Sequence, residues 1–148
     1  MELLTGEYEN TLDVKGRLFL PAKLRQKLSE NNLVLTKGYN HCVWALPPEQ
    51  WESLSGKFLD ASLTFEKADF LHHQFIASMQ EIEIENTGRI AIPFSLRKYA
   101  GLMRDCVILG TGKKMEIWDA GEYNVYLETN APRIKDILDE LGPISLFT

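Results

Sequence analysis

The sequence predicts an α+β fold built from two duplicated half-domains with flanking helices. Three observations carry that expectation. A 13-residue window recurs at an offset of 72 residues: Asp13-Val-Lys-Gly-Arg17-Leu-Phe-Leu-Pro21-Ala-Lys-Leu-Arg25 is answered by Glu85-Asn-Thr-Gly-Arg89-Ile-Ala-Ile-Pro93-Phe-Ser-Leu-Arg97. Short β-like runs follow each copy in the same order, and a repeat of this kind makes each copy one unit that buries its apolar side against its twin. Two amphipathic helical patterns, near 62–79 and 132–141, have no copy in the other half. The expected division is a first half-domain over 6–60, a connecting helix over 61–79, a second half-domain over 80–129, and a C-terminal helix and tail over 130–148.

Each element has a local reason. Acid-x-x-Gly-Arg between two β-like runs is a turn: the acid accepts backbone N–H bonds and the glycine tolerates positive φ. Asp13, Gly16, Glu85 and Gly88 are therefore turn residues. Leu18-Phe19-Leu20 and Ile90-Ala91-Ile92 then read as short strands. Pro21 and Pro93 sit where a helix starts, at the first helical position that needs no N–H. After Pro21, Leu24 and Leu28 share one helical face, with Lys23 and Lys27 on another. Strands follow near 33–37 and 42–46, then a helix led by Pro47-Pro48 and running to about Phe58. The second half repeats the order, with strands near 81–85, 89–92, 106–110 and 114–118 and a helix near 120–128. In the connecting segment Leu71, Phe75 and Met79 are spaced by four. In the last helix Ile134, Ile137, Leu138 and Leu141 share a face, and Gly142-Pro143 stops it.

The 148 residues are 45% hydrophobic and 25% charged, enough to bury a core in one domain or two very small ones. With 10 Gly, 6 Pro and 2 Cys, collagen-like, disordered and disulfide-scaffold classes are excluded. No apolar run approaches the roughly 20 residues of a membrane helix. Met1-Glu2-Leu3-Leu4-Thr5 has no basic start, so a signal peptide is not expected. Cys42 and Cys106 fit a reducing cytoplasm.

A net charge of −5 argues first against a polyanion ligand, but its distribution reverses that. Residues 14–29 and 86–104 together carry nine basic side chains and no acid; the rest of the chain carries seven basic and 21 acidic ones. Screening confines each charge to about 8 Å at cellular salt, so a basic footprint on an acidic body can bind a polyanion by close contact.

The candidate binding residues are Lys15, Arg17 and Arg89, with Lys23 and Lys27 as further phosphate contacts. A duplicated arginine after a glycine turn presents two guanidiniums, each able to grip phosphate or read guanine bidentately. The alternative, an Asp13–Arg17 or Glu85–Arg89 pair that locks the turn, uses the same spacing. Arg25 and Arg97 lie at the edge of the buried stripe and read as partly buried, paired arginines. Catalytic constellations are lacking. Adjacent His72 and His73 point about 100° apart on a helix. The cysteines occupy unmatched places in the repeat and read as buried thiols. Gly110-Thr-Gly112-Lys113-Lys114 lacks P-loop spacing and reads as a hairpin loop. Trp44 and Trp118 match across the repeat and read as core.

At these motifs the chain resembles the MraZ family, bacterial regulators built from two AbrB-like half-domains. The family pattern, Asp-x-x-x-Arg with Gly before the Arg, stands here as Asp13-Val14-Lys15-Gly16-Arg17. Its second copy is Glu85-Asn86-Thr87-Gly88-Arg89, where Glu replaces the family's Asp. Lys114-Met115-Glu116-Ile117-Trp118-Asp119 also resembles the end of the family's second barrel. The resemblance covers about 6–129. It implies a pseudo-twofold swapped-hairpin, AbrB-like β-barrel and a closed homo-oligomeric ring that presents the turns on one surface. It also implies sequence-specific binding to double-stranded DNA at short repeated boxes upstream of the division and cell-wall gene cluster, including the protein's own gene. A cytoplasmic, nucleoid-associated protein without a cofactor follows, with the DNA-contact role falling first on Arg17 and on Lys15 beside it. The competing expectation is a ring-shaped interaction scaffold whose turn arginines are structural. An AbrB-type antitoxin would pair one half-domain with a flexible tail, unlike this chain.

Overall fold

The computed structural model describes residues 2–60 and 62–142. Strand β1 (Leu4–Thr11) leads through the first turn into β2 (Arg17–Phe19), helix α1 (Ala22–Arg25), β3 (Asn32–Lys37), β4 (Val43–Leu46) and α2 (Pro48–Leu59). Helix α3 (Phe65–Leu71) follows and opens into a π-helical turn, His72–Ile76. The second series is β5 (Gln80–Glu83), β6 (Arg89–Ala91), α4 (Phe94–Ala100), β7 (Asp105–Gly112), β8 (Met115–Asp119) and α5 (Ala120–Asn130). A short 3₁₀ turn, Ala131–Arg133, then joins α6 (Ile134–Asp139). The chain is an α+β protein with one large antiparallel sheet and several helices.

The six-stranded sheet runs β1-β7-β8-β4-β3-β5, and β2 pairs with β6 in a separate two-stranded ribbon. The two series exchange partners: β1 with β7, β2 with β6, β5 with β3 and β8 with β4, all antiparallel. The exchange is pseudo-twofold. Leu18 faces Ile90 and Val43 faces Ile117, so residues at matching places in the repeat meet each other across the axis. Tyr8 opposite Ile108 is likewise answered by Gln80 opposite Leu35.

Side-chain alternation along the strands builds two cores. One sheet face sends Leu33, Leu35, Val43, Ala45, Ile108, Met115 and Ile117 against Leu18, Leu20, Ile90 and Ile92 of the ribbon segments and against Leu24 and Leu96. The other sends Trp44, Leu46, Val107, Leu109 and Trp118 under α2, the π turn and α5. Trp44 stacks on Phe75 at 5.3 Å, and Trp118 packs against Tyr123 and Tyr126, so both tryptophans are core.

Two sequence expectations need correction. Pro21 and Pro93 stand one residue before their helices, in extended backbone (ψ 138° and 145°), and their carbonyls accept the first helical N–H bonds. The connecting helix is shorter than 61–79. Ala77 N–H donates to His72 O, and Ser78 turns away to bond Gln74 O, Thr36 Oγ1 and the Lys37 N–H. Phe75 is buried against Trp44 and Phe58, whereas Leu63, Phe65 and Phe70 of the same connecting segment stay exposed. The C-terminal stripe finds no core among the described residues: Ile134, Ile137, Leu138 and Leu141 are all exposed. Gly142 has φ 94°, and Pro143 lies outside the described residues.

Candidate nucleic-acid interface

The ribbon places the arginines. Cross-strand partners and residues two apart point to one side. Leu18 and Ile90 point inward and are fully buried, so Arg17, Phe19, Arg89 and Ala91 share the outer side. Arg17 stands opposite Ala91 and Arg89 opposite Phe19. Two residues of rise and one strand spacing separate the arginine Cα atoms by roughly 8 Å. Both fit within a major groove about 12 Å wide, which admits a two-stranded ribbon.

The turns that precede the two strands share a backbone plan. Asp13 N–H donates to Arg17 O at 2.9 Å and Glu85 N–H to Arg89 O at 2.9 Å. Gly16 and Gly88 have φ 78° and 87°, a region costly for any residue with a Cβ. Space is also short: a Cβ on Gly16 would lie 2.7 Å from Arg97 Cζ, and one on Gly88 2.9 Å from Arg25 Cζ. Arg97 and Arg25 thus pack under the opposite half's turn. Their Nε atoms donate to Ile92 O at 2.9 Å and Leu20 O at 2.8 Å, and their guanidiniums lie over Phe94 and Phe19. They are half-buried, and their partners are carbonyls and rings.

The side chains of the two turns differ. Asp13 Oδ1 accepts from the Lys15 and Arg17 N–H groups, both at 2.9 Å, and Oδ2 meets Arg17 Nε at 3.1 Å. The Arg17 backbone N–H is the main cause that holds the Asp13 carboxyl below its ordinary 3.8; partial burial opposes it, and the Lys15 N–H and the Arg17 guanidinium assist. Glu85 carries one more methylene and makes none of these bonds within its own turn. It reaches across the axis instead, and its Oε1 lies 3.3 Å from Arg17 Nη1. The expected Glu85–Arg89 pair is therefore replaced by Glu85–Arg17. Among the described residues, the Arg89 side chain has no hydrogen bond, ion pair or ring contact, although its backbone carbonyl closes the turn.

Exposure also departs from the simple picture of projecting arginines. Both are half-buried, and the exposed tips are Val14 with Lys15 and Asn86 with Thr87. Sequence reasoning named Lys15 but passed over Val14, Asn86, Thr87 and Phe19; the alternation Arg17–Phe19 around an apolar Leu18 was the signal that could have found Phe19. Lys23 is exposed, and Lys27 is half-buried with Nζ bonded to Leu3 O at 3.0 Å.

The remaining reactive groups sit elsewhere. Burial is the main cause that pushes the Cys42 thiol up to about 12 and Cys106 up to about 11, so neither is a ready nucleophile. His73 Nε2 lies 3.5 Å from Asp69 Oδ2, and no group of three metal-ligating side chains occurs among the described residues. Lys114, at the β7–β8 hairpin, is bound to Glu116 at 2.6 Å and Thr111 at 2.9 Å. No helix among the described residues is long and apolar enough to cross a membrane.

A family profile described as "MraZ protein, putative antitoxin-like" matches residues 3–72 and 75–137, one match for each half. The chain is 43% identical over 142 residues to a transcriptional regulator MraZ of Treponema denticola, covering 95% of this chain and 99% of the relative. It is 44% identical over 124 residues to one of Treponema pallidum, covering 83% of each chain. A third, of Heliobacterium modesticaldum, is 38% identical over 141 residues, covering 94% and 96%. These relatives are named as regulators of transcription, not as enzymes. With a doubled glycine–arginine turn, exchanged strands and relatives matched across nearly the whole chain, this protein belongs to the MraZ family.

Proposed function

We propose that the protein is a DNA-binding transcriptional regulator that grips double-stranded DNA with the outer side of the β2–β6 ribbon. The carrying observation is that two repeat-equivalent arginines share one side of a two-stranded ribbon whose other side is fully buried. A ribbon backed by core enters a groove without rearranging. Arg17 and Arg89 make the central contacts, Lys15 adds a charge at the first tip, and Lys23 and Lys27 flank them on phosphates. Asp13, Gly16, Glu85, Gly88, Pro21, Pro93, Arg25 and Arg97 shape the turns and the helix starts behind them. The names of the relatives support regulation of transcription as the role.

In this reading the half-domains at 6–60 and 80–129 interleave as a swapped-hairpin barrel, joined by the 61–79 segment and followed by the arm from 130 onward. Copies assemble into a closed ring that repeats the arginine-bearing turns on one surface. The exposed apolar side chains of the arm, with Ile134 57% and Leu141 60% exposed, and of α3, with Phe65 88% and Phe70 68%, support assembly. A lone soluble chain rarely leaves so much apolar surface uncovered. Tethering several weak basic footprints raises affinity through effective concentration and calls for repeated boxes in the DNA. The targets would be boxes upstream of the division and cell-wall genes and of the protein's own gene, in the cytoplasm at the nucleoid.

One observation favours the scaffold reading for the first turn: Arg17 is engaged by two carboxylates, as a turn brace would be. Binding to a labelled duplex from upstream of the protein's own gene, against a scrambled duplex at near-physiological salt, separates the readings. The wild type binds the native duplex tightly and the Arg17→Ala/Arg89→Ala double variant, still folded and assembled, does not. Equal binding to both duplexes would overturn site-specific recognition and leave the scaffold.

A further inference from the structure

The two turns are twins in backbone and unlike in charge. The first arginine faces two carboxylates, Asp13 Oδ2 at 3.1 Å and Glu85 Oε1 at 3.3 Å. The second faces none among the described residues. A strict twofold would give each arginine the acid of its own turn. Asp13 is too short to do more than close its own turn, where two backbone N–H groups and Arg17 Nε already occupy it. Glu85 is long enough to leave its turn and crosses to Arg17 Nη1. The one-methylene difference between Asp and Glu thus moves both acids onto one cation.

We infer that Arg89 is the principal DNA-gripping arginine of this chain, and that Glu85 is a positioning residue that holds Arg17 back from DNA. The inference rests on the DNA-binding reading and deepens it. A guanidinium binds phosphate oxygens or the guanine O6/N7 pair through a free bidentate edge. Arg89, half-buried like Arg17, has no carboxylate on that edge among the described residues. Arg17 offers it only when Glu85 lets go, and the carboxylate adds a negative charge beside any approaching phosphate. One chain therefore reads its site unequally, with the second half leading. The tips match this inequality in chemistry: Val14 and Lys15 stand beside Arg17, and Asn86 and Thr87, both able to hydrogen-bond a base edge, stand beside Arg89.

The test compares the full-length wild type, Arg17→Ala, Arg89→Ala, Glu85→Gln and the Arg17→Ala/Glu85→Gln pair. Thermal melting comes first and needs no DNA. Arg17→Ala should lower Tm by a few degrees, because it breaks both ion pairs, and Arg89→Ala should leave Tm unchanged. An Arg89→Ala loss equal to that of Arg17→Ala would overturn the asymmetry whatever the protein binds. Binding to the upstream and scrambled duplexes follows across a salt series. Arg89→Ala should weaken binding at least about tenfold more than Arg17→Ala. Glu85→Gln should tighten binding about three- to tenfold and steepen the dependence of log K on log salt by about one charge. That gain should vanish in the Arg17→Ala background. A gain that persists without Arg17 would mean simple removal of charge and would overturn the restraint. Arginine effects of equal size would overturn the ranking and leave the DNA reading standing. A wild type that binds neither duplex would overturn both.

Discussion

At the scale of single residues, the first turn is held by an aspartate that does three things at once, and each has a consequence. Asp13 accepts two backbone N–H groups and pairs with Arg17, which holds its carboxyl below 3.8. A depressed carboxyl stabilises the fold above its unfolded pKa, and that stabilisation is lost as pH falls through the lower, folded value. Unfolding free energy of the wild type minus that of Asp13→Asn should therefore be constant from neutral pH to about 5 and shrink below about 4. A gap that stayed constant to pH 2 would contradict the lowering of the Asp13 carboxyl by its backbone N–H and Arg17 partners. Gly16 is bound by backbone and by space together. Gly16→Ala must adopt positive φ and push Arg97 aside, at a cost of about 1–2 kcal/mol in denaturant unfolding. Little of this turn was hidden in the sequence, because Asp-x-x-Gly-Arg names its own geometry. The partner of Glu85 was hidden: sequence spacing offers Arg89, and only the crossing of the two halves brings Arg17 nearer.

At the scale of elements, the ribbon is three residues per strand and draws its order from what lies beneath it. Leu18 and Ile90 face each other on the pseudo-twofold and are fully buried. Ile90→Ala should cost about 3 kcal/mol, the range for deleting a buried aliphatic side chain, and should loosen the DNA-facing side as well. Equilibrium unfolding checks the first effect. The repeat made most strands legible, since each could be read twice. β1 was harder to bound: the first turn implies a β-like run before Asp13, but Thr5-Gly6-Glu7-Tyr8-Glu9-Asn10-Thr11 is polar, and β7 supplies the partner that fixes its length. The helix ends were blurred for a related reason: proline marks a start to within one residue, and the π turn at His72–Ile76 depends on Thr36 and Lys37 receiving Ser78. Amphipathicity located the arm from 132 to 141 but said nothing of what covers it. If neighbouring copies do, Ile137→Glu should reduce the assembled mass in light scattering while the monomer keeps its circular dichroism. An unchanged mass would remove the arm from the interface.

At the scale of the whole molecule, an acidic chain carries its basic residues in two windows that the fold joins into one ribbon. The net charge of −5 gives no long-range attraction to DNA, so binding depends on short-range grip and on repetition. The most direct measurement is amide hydrogen exchange read by mass spectrometry, with and without the upstream duplex at near-physiological salt. The account predicts that DNA slows exchange in peptides covering 13–19 and 85–91, with the second segment protected more. Protection confined to α3 or to the C-terminal arm, with both turns unchanged, would contradict it.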